Sequence, residues 1–189
     1  MGHIILFLYL YFNLSIADFS NIKRYKNEIE NVENISYMTS AIAVFFGDVQ
    51  GTVRFTEVKE GVRIDIDLKG LKKGAHGFHV HECGDMSDRC ESMCAHFNPY
   101  GMDHGGPGDK VRHVGDLGNL VADSKGVVRT SFVDSVIRLR GTKANIIGRG
   151  LIIHADEDDL GKGGEADSLT TGHAGKRVAC AVIGYAKRI

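Results

Sequence analysis

The sequence predicts an all-β domain, an antiparallel sandwich or barrel of about eight strands carrying two long functional loops. Three observations predict it. From Ala41 onward the chain breaks into short apolar stretches separated by glycine turns. In one of them Val62, Ile64, Ile66 and Leu68 alternate strictly with polar neighbours, as in a half-buried strand. The 24 glycines, against 2 prolines and no tryptophan, favour tight turns and short strands over long helices.

In chain order, residues 1–17 come first and differ from the rest. Ile4 to Phe12 is an almost unbroken apolar run, and Ser15-Ile16-Ala17 puts small residues at the third and first positions before a cut ahead of Asp18. This is the pattern of a secretory signal peptide, although Met1-Gly2-His3 lacks the usual Lys or Arg. The run falls short of the roughly 20 residues that cross a bilayer, so the chain is expected to be secreted and to keep no membrane anchor after signal removal. Residues 18–38 are polar and charge-mixed and read as a linker. Ile22, Tyr25, Ile29 and Val32 within them fall at a loosely helical spacing. Asn34-Ile35-Ser36 is a glycan acceptor if the chain enters the secretory pathway.

The main domain occupies 39–189. Ala41 to Phe46 is followed by Gly47-Asp48, Thr52 to Val58 by Glu60-Gly61, and Val62 to Leu68 by Lys69-Gly70. Further strands are expected over Gly77 to His81, Leu117 to Ala122, Val127 to Phe132, Val136 to Leu139, Gly150 to His154 and Val178 to Tyr185. The two long connections run from Glu82 to Gly115 and from Ala155 to Arg177. With 189 residues and 43% hydrophobic content, the chain supports one domain with a real core plus an extension. A net charge of -1, a pI near 6.7 and no long basic run give no electrostatic support for a nucleic-acid partner.

Six histidines and one aspartate stand in an order that reads as two metal sites sharing a wall. On a strand, His79 and His81 flanking Val80 present two imidazoles in one direction. His96, His104, His113 and Asp116 lie in a stretch holding both prolines and several glycines, a long loop that needs something to order it. Three imidazoles and one carboxylate match a closed tetrahedral zinc site. His154 follows the apolar run Leu151-Ile152-Ile153 and is placed to join His79 and His81 in an all-imidazole site, which suits copper better than calcium or magnesium. Electron transfer, oxygen binding and metal storage are all open to such a site. The four cysteines, Cys83, Cys90, Cys94 and Cys180, allow three complete pairings or a wholly reduced set. Joining Cys90 to Cys180 would close a long loop, worth roughly 3 to 5 kcal/mol by chain entropy.

Ordered motifs extend the pattern: Gly77-Phe78-His79-Val80-His81-Glu82, His96-Phe97-Asn98-Pro99, His104-Gly105-Gly106-Pro107, Arg112-His113-Val114-Gly115-Asp116-Leu117-Gly118-Asn119, Asp158-Asp159-Leu160-Gly161-Lys162-Gly163-Gly164 and Gly175-Lys176-Arg177-Val178-Ala179-Cys180. Over about residues 39 to 186 the chain resembles the copper/zinc superoxide dismutase family. The resemblance implies a Greek-key, Ig-like sandwich and the conversion of superoxide to oxygen and hydrogen peroxide by alternate reduction and oxidation of copper. It implies copper on His79, His81, His96 and His154, and zinc on His96, His104, His113 and Asp116, with His96 bridging and carrying a proton. Arg177 then attracts and orients the anion, Asp158 hydrogen-bonds the outer nitrogens of His79 and His104, and Cys90 pairs with Cys180. His76, close to the cluster, is left out of it, as are His3 and His173.

Certain positions depart from that family. Thr170 stands where many members have a lysine near the rim, and the charged stretch before it is thinned to Glu165-Ala166-Asp167. Cys83 replaces a large apolar residue at the contact of the usual homodimer, and Cys94 lies close to both Cys90 and His96, where it is expected to be a quiet buried thiol, the alternative being competition in disulfide exchange. Met38-Thr39-Ser40-Ala41 resembles a cytosolic start, which gives a cytosolic alternative if translation begins at Met38. The rival function is a noncatalytic metal-binding or copper-delivery protein on the same fold. Such relatives usually add a domain with paired cysteines, which this sequence lacks.

Overall fold

The computed structural model describes residues 39–187; the apolar opening run, the polar linker and the Asn34 sequon lie outside them. Its strands are β1 (Ser40–Phe45), β2 (Gln50–Val58), β3 (Gly61–Lys69), β4 (Gly74–His81), β5 (Asp116–Ala122), β6 (Val127–Asp134), β7 (Gly150–His154), β8 (Arg177–Val182) and β9 (Gly184–Tyr185). A five-stranded antiparallel sheet runs β6-β3-β2-β1-β9, and a four-stranded one runs β5-β4-β7-β8. The two sheets are separate and face each other as a sandwich, not as a closed barrel.

Period-two alternation builds the core. Val62, Ile64, Ile66 and Leu68 of β3 turn inward against Val53 and Phe55 of β2, and the other sheet contributes Phe78, Val80, Leu151 and Ile153 to the same buried cluster. Most strand expectations hold to within a few residues. Val178 to Tyr185 does not form one strand: the chain changes sheets at the fully buried Ile183, so that β8 pairs with β7 and β9 with β1.

The strand expected over Val136 to Leu139 is absent, leaving an isolated bridge between Arg138 and Asn145. Its apolar residues still enter the core, with Ile137 and Leu139 fully buried. Its backbone is captured locally: Asp134 Oδ1 accepts the N–H groups of Val136 at 2.8 Å and Ile137 at 2.9 Å, a turn that competes with ladder pairing. The other oxygen of Asp134 accepts from Arg112 at 2.7 Å in a buried ion pair. Arg112 also donates to the carbonyls of Pro107, His113 and Val114, tying the first long loop to the sandwich.

Candidate metal centre

Because Phe78 and Val80 point into the core, His79 and His81 leave β4 on the opposite face. On a two-layer sandwich that face would meet solvent, yet the two rings are 0% and 1% exposed. The long loops cover them. Phe97 donates to the Val80 carbonyl at 2.8 Å and Glu82 to that of Ala95 at 2.9 Å, which sets His96 directly across from His81 in an isolated antiparallel bridge. Gly115 completes the approach; a Cβ there would stand 2.1 Å from the Val80 carbonyl oxygen. His154 ends β7 opposite Arg177 of β8.

The hydrogen bonds fix which nitrogen of each ring turns inward. His81 Nδ1 meets the Cys94 carbonyl at 2.9 Å and His154 Nδ1 meets the Gly175 carbonyl at 3.0 Å. A carbonyl only accepts, so both Nδ1 atoms carry hydrogen and both Nε2 atoms present lone pairs. For His79 the arrangement is reversed: Nε2 donates to Asp158 Oδ2 at 2.8 Å and Nδ1 faces in. His79 Nδ1, His81 Nε2, His96 Nε2 and His154 Nε2 are all buried without a hydrogen-bond partner. One donor atom from each of these four residues lies within 4.8 Å of the others, as around a single cation. Four neutral imidazoles suit copper.

The second group shares His96. The Nδ1 atoms of His96, His104 and His113 each lie 3.0 Å from Asp116 Oδ1. Ligands about 2.0 Å from a tetrahedral zinc stand about 3.3 Å apart, so the spacing fits. Asp116 Oδ2 meanwhile accepts the N–H groups of Gly105 at 3.1 Å and His113 at 2.7 Å, which fixes the carboxylate. Three nitrogens and one oxygen fill a zinc shell.

Asp158 braces both groups, with Oδ2 on His79 and Oδ1 on His104 Nε2 at 2.8 Å. It is held in turn by Asn119, whose Nδ2 donates to the Asp158 carbonyl and whose Oδ1 accepts the Asp158 N–H, both at 2.8 Å. Gly172 has φ +65°, and a Cβ there would lie 2.0 Å from Asp158 Oδ1, so a side chain would break the brace. Asp158→Asn keeps the shape but loses one acceptor oxygen. Metal affinity is expected to fall roughly 10–100-fold, checked by competition with a chelator; wild-type affinity would remove the assigned role.

Electrostatics separate the two groups. Burial holds His79, His81 and His154 neutral, pushing them down to about 3, about 2 and about 4. His104 goes the other way: burial alone would lower it, but the carboxylates of Asp116 and Asp158 raise it to about 9. Burial likewise opposes ionisation of Asp116 and Asp158, and hydrogen bonds from the histidines outweigh it, holding both carboxyls below their usual range.

In the metal-free protein the His104 proton contributes stability that is fully present below the unfolded value of about 6.5 and is lost as pH rises through about 9. A cation at His104 Nδ1 displaces that proton. Zinc binding at pH 7 is therefore expected to release about one proton from this ring, with affinity rising up to tenfold per pH unit towards 9. Calorimetry in buffers of different ionisation heat reads this directly, and a heat independent of buffer would contradict it.

Arg177 lies beside the first group. Its Nη1 donates to the carbonyls of Cys90 at 2.6 Å and Glu91 at 3.1 Å, and its Nη2 to that of Cys94 at 2.5 Å. Its positive charge adds to burial in lowering His81 and His154. A disulfide joins Cys90 to Cys180 with the Cα atoms 5.6 Å apart, anchoring the turn that holds the guanidinium to β8.

His76 stays outside the cluster. Its two nitrogens meet the carbonyls of His154 and Lys72, each at 2.8 Å, bracing the end of β7. His173 is exposed and bonds Asp167. Sequence reasoning did not assign Asn119 as the support of Asp158, although it lies within a quoted motif. It also missed the carbonyls of Cys94 and Gly175, which carry no side-chain signal.

A sequence profile described as copper/zinc superoxide dismutase (SODC) matches residues 49–183. The Cu-Zn superoxide dismutase of Paramecium bursaria Chlorella virus 1 is 61% identical over 82% of this chain and 82% of its own length. The extracellular Cu-Zn enzyme of Drosophila melanogaster is 49% identical over 81% and 85%, and the Cu-Zn enzyme of Yarrowia lipolytica is 52% identical over 78% and 98%. The crystal structure of the clock protein EA4 superposes with a TM-score of 0.76 at 47% identity, covering 79% of this chain and 96% of that one. With a profile spanning most of the described domain and relatives at this identity, the chain belongs to the copper/zinc superoxide dismutase family.

Proposed function

We propose that this chain is a secreted superoxide dismutase that binds copper through His79, His81, His96 and His154 and zinc through His96, His104, His113 and Asp116. The observation that carries the reading is the set of four inward, unpartnered imidazole nitrogens beside a closed set of three nitrogens and one carboxylate, with one ring common to both. Copper, when bound, supplies the one-electron reduction and oxidation that turn two superoxide anions into oxygen and hydrogen peroxide.

The chain's own residues do the rest. Asp158 and the carbonyls of Cys94 and Gly175 hold the rings in the tautomers that offer lone pairs. His96 Nε2 faces the copper-side group and is the atom placed to take up a proton and deliver it towards peroxide. Asp116 keeps the other side of that ring engaged. Arg177 supplies the positive charge that draws in a small anion and sets its orientation.

Secretion is supported by the signal-like residues 1–17 and by the 49% identity to an extracellular enzyme. The homodimer usual in this family is part of the same proposal.

Purified protein loaded with both metals should remove superoxide far faster than the same copper free in solution. Catalysis no better than free copper would sink the reading. Arg177→Ala is expected to slow turnover roughly tenfold or more at unchanged metal content; a full-speed variant would remove its role. The N-terminal mass of the native protein tests localisation. A start at Asp18 is expected, and a start near Thr39 without glycan would overturn secretion.

A further inference from the structure

Two cysteine thiols play no part in the site so far described. Cys83 is half-buried and Cys94, expected to be buried, is exposed because it sits on the surface loop between Met93 and His96; neither is in a disulfide. The pairing that places His96 across from His81 also joins Glu82 to Ala95, and the next residues along the two segments are Cys83 and Cys94. Residues facing each other on paired segments bring their Cβ atoms to about 4.5–5.5 Å, so a disulfide, at about 3.5–4.5 Å, asks only for a small approach of the two segments. The Cys83 N–H reaches past Cys94 to the Met93 carbonyl at 3.1 Å, and the Cys94 thiol, which donates to the Ser92 carbonyl at 3.6 Å, adjoins that of Cys83.

Cys94 is also conformationally unusual. Its φ of 64° and ψ of -150° fall in a region that side-chain-bearing residues rarely occupy and glycine tolerates. Its surroundings hold it there. The Cys94 carbonyl accepts from His81 Nδ1 at 2.9 Å and from Arg177 Nη2 at 2.5 Å, so one peptide group orients both a candidate metal ligand and the guanidinium.

We propose that Cys83 and Cys94 are a second, reversible dithiol–disulfide pair, whose closure fixes the carbonyl that orients His81 and Arg177. The oxidant is a low-molecular-weight disulfide such as oxidised glutathione. The exposed Cys94 thiolate attacks one sulfur of it, forming a mixed disulfide and expelling one thiolate. The Cys83 thiolate then attacks the Cys94 sulfur, closing the protein disulfide and expelling the second thiolate. Two protein thiols lose two hydrogens, and the small disulfide becomes two thiols. The pair stands on its own geometry; only its effect on turnover rests on the proposed dismutase reading.

The test uses the full chain loaded with copper and zinc, equilibrated in glutathione buffers of graded redox poise, alkylated, digested and mapped by mass. The expected result is a Cys83–Cys94 cross-linked peptide that opens at roughly tenfold or more lower reductant than Cys90–Cys180, because exposed and strained disulfides are the labile ones. Turnover should shift between the closed and open forms at constant metal content, and Cys83→Ser should behave as permanently open. Both thiols remaining alkylatable wherever Cys90–Cys180 is closed would overturn the proposal. So would Cys94 linked to Cys90, or identical turnover in the two forms. Absence of turnover in every form would instead sink the dismutase reading, while the peptide map would still decide the pair.

Discussion

Replacing His96 by Ala is expected to empty both metal sites and leave turnover no higher than that of adventitious copper. The effect should be the largest of any single substitution, because His96 is the one residue common to both candidate groups. Its ring centroid lies 4.1 Å from that of His79, and its Nδ1 stands 3.0 Å from Asp116 Oδ1. Removing the ring takes one ligand from the copper-side group and one from the closed zinc-side group in a single step. Losing an outer hydrogen-bond partner already costs about 10–100-fold in metal affinity, and losing a ligand costs more. Metal content after gel filtration, measured beside circular dichroism, checks this. A folded variant that retains stoichiometric copper and zinc would show that the two groups do not depend on His96.

The second large effect concerns Cys90→Ser. The disulfide joins residues 90 apart in sequence, and chain-entropy arguments make such a closure worth about 4–5 kcal/mol. Thermal unfolding should shift down by roughly 10–20 °C for a domain of this size. The loss also reaches the site, since the turn carrying the Cys90, Glu91 and Cys94 carbonyls holds Arg177 while Cys180 is three residues beyond it on β8. Turnover should therefore fall even where the variant remains folded and metal-loaded. Calorimetry and an activity assay on one sample separate these losses, and unchanged stability would contradict the structural role.

Much of this arrangement was legible because side-chain periodicity in a strand is so strict. His79 and His81 had to share a face of β4 because they stand two residues apart on a strand, and the glycine- and proline-bearing loop had to be ordered by something. Less legible was what depends on backbone groups. The carbonyls of Cys94 and Gly175 choose the tautomers of His81 and His154, and no residue type announces a carbonyl's direction. Val136 to Leu139 misled for a related reason. Its apolar residues do enter the core, but Asp134 takes the N–H groups that a strand would have needed. The switch of sheets at Ile183 is silent too, because Val178 to Tyr185 is a continuous run without a charged residue to mark the break. Motif likeness supplied the cysteine pairing, where counting alone left three possibilities.

The central claim is that one imidazole belongs to two metal sites. Copper loaded into both sites of the full chain, at two ions per chain by metal analysis, tests it by low-temperature electron paramagnetic resonance. A ring deprotonated on both nitrogens and shared by two divalent ions couples their unpaired electrons. The predicted result is a signal largely quenched in the two-copper protein and restored to one spin per chain when zinc replaces the second ion. Two independent signals that sum to two spins per chain would contradict a shared His96.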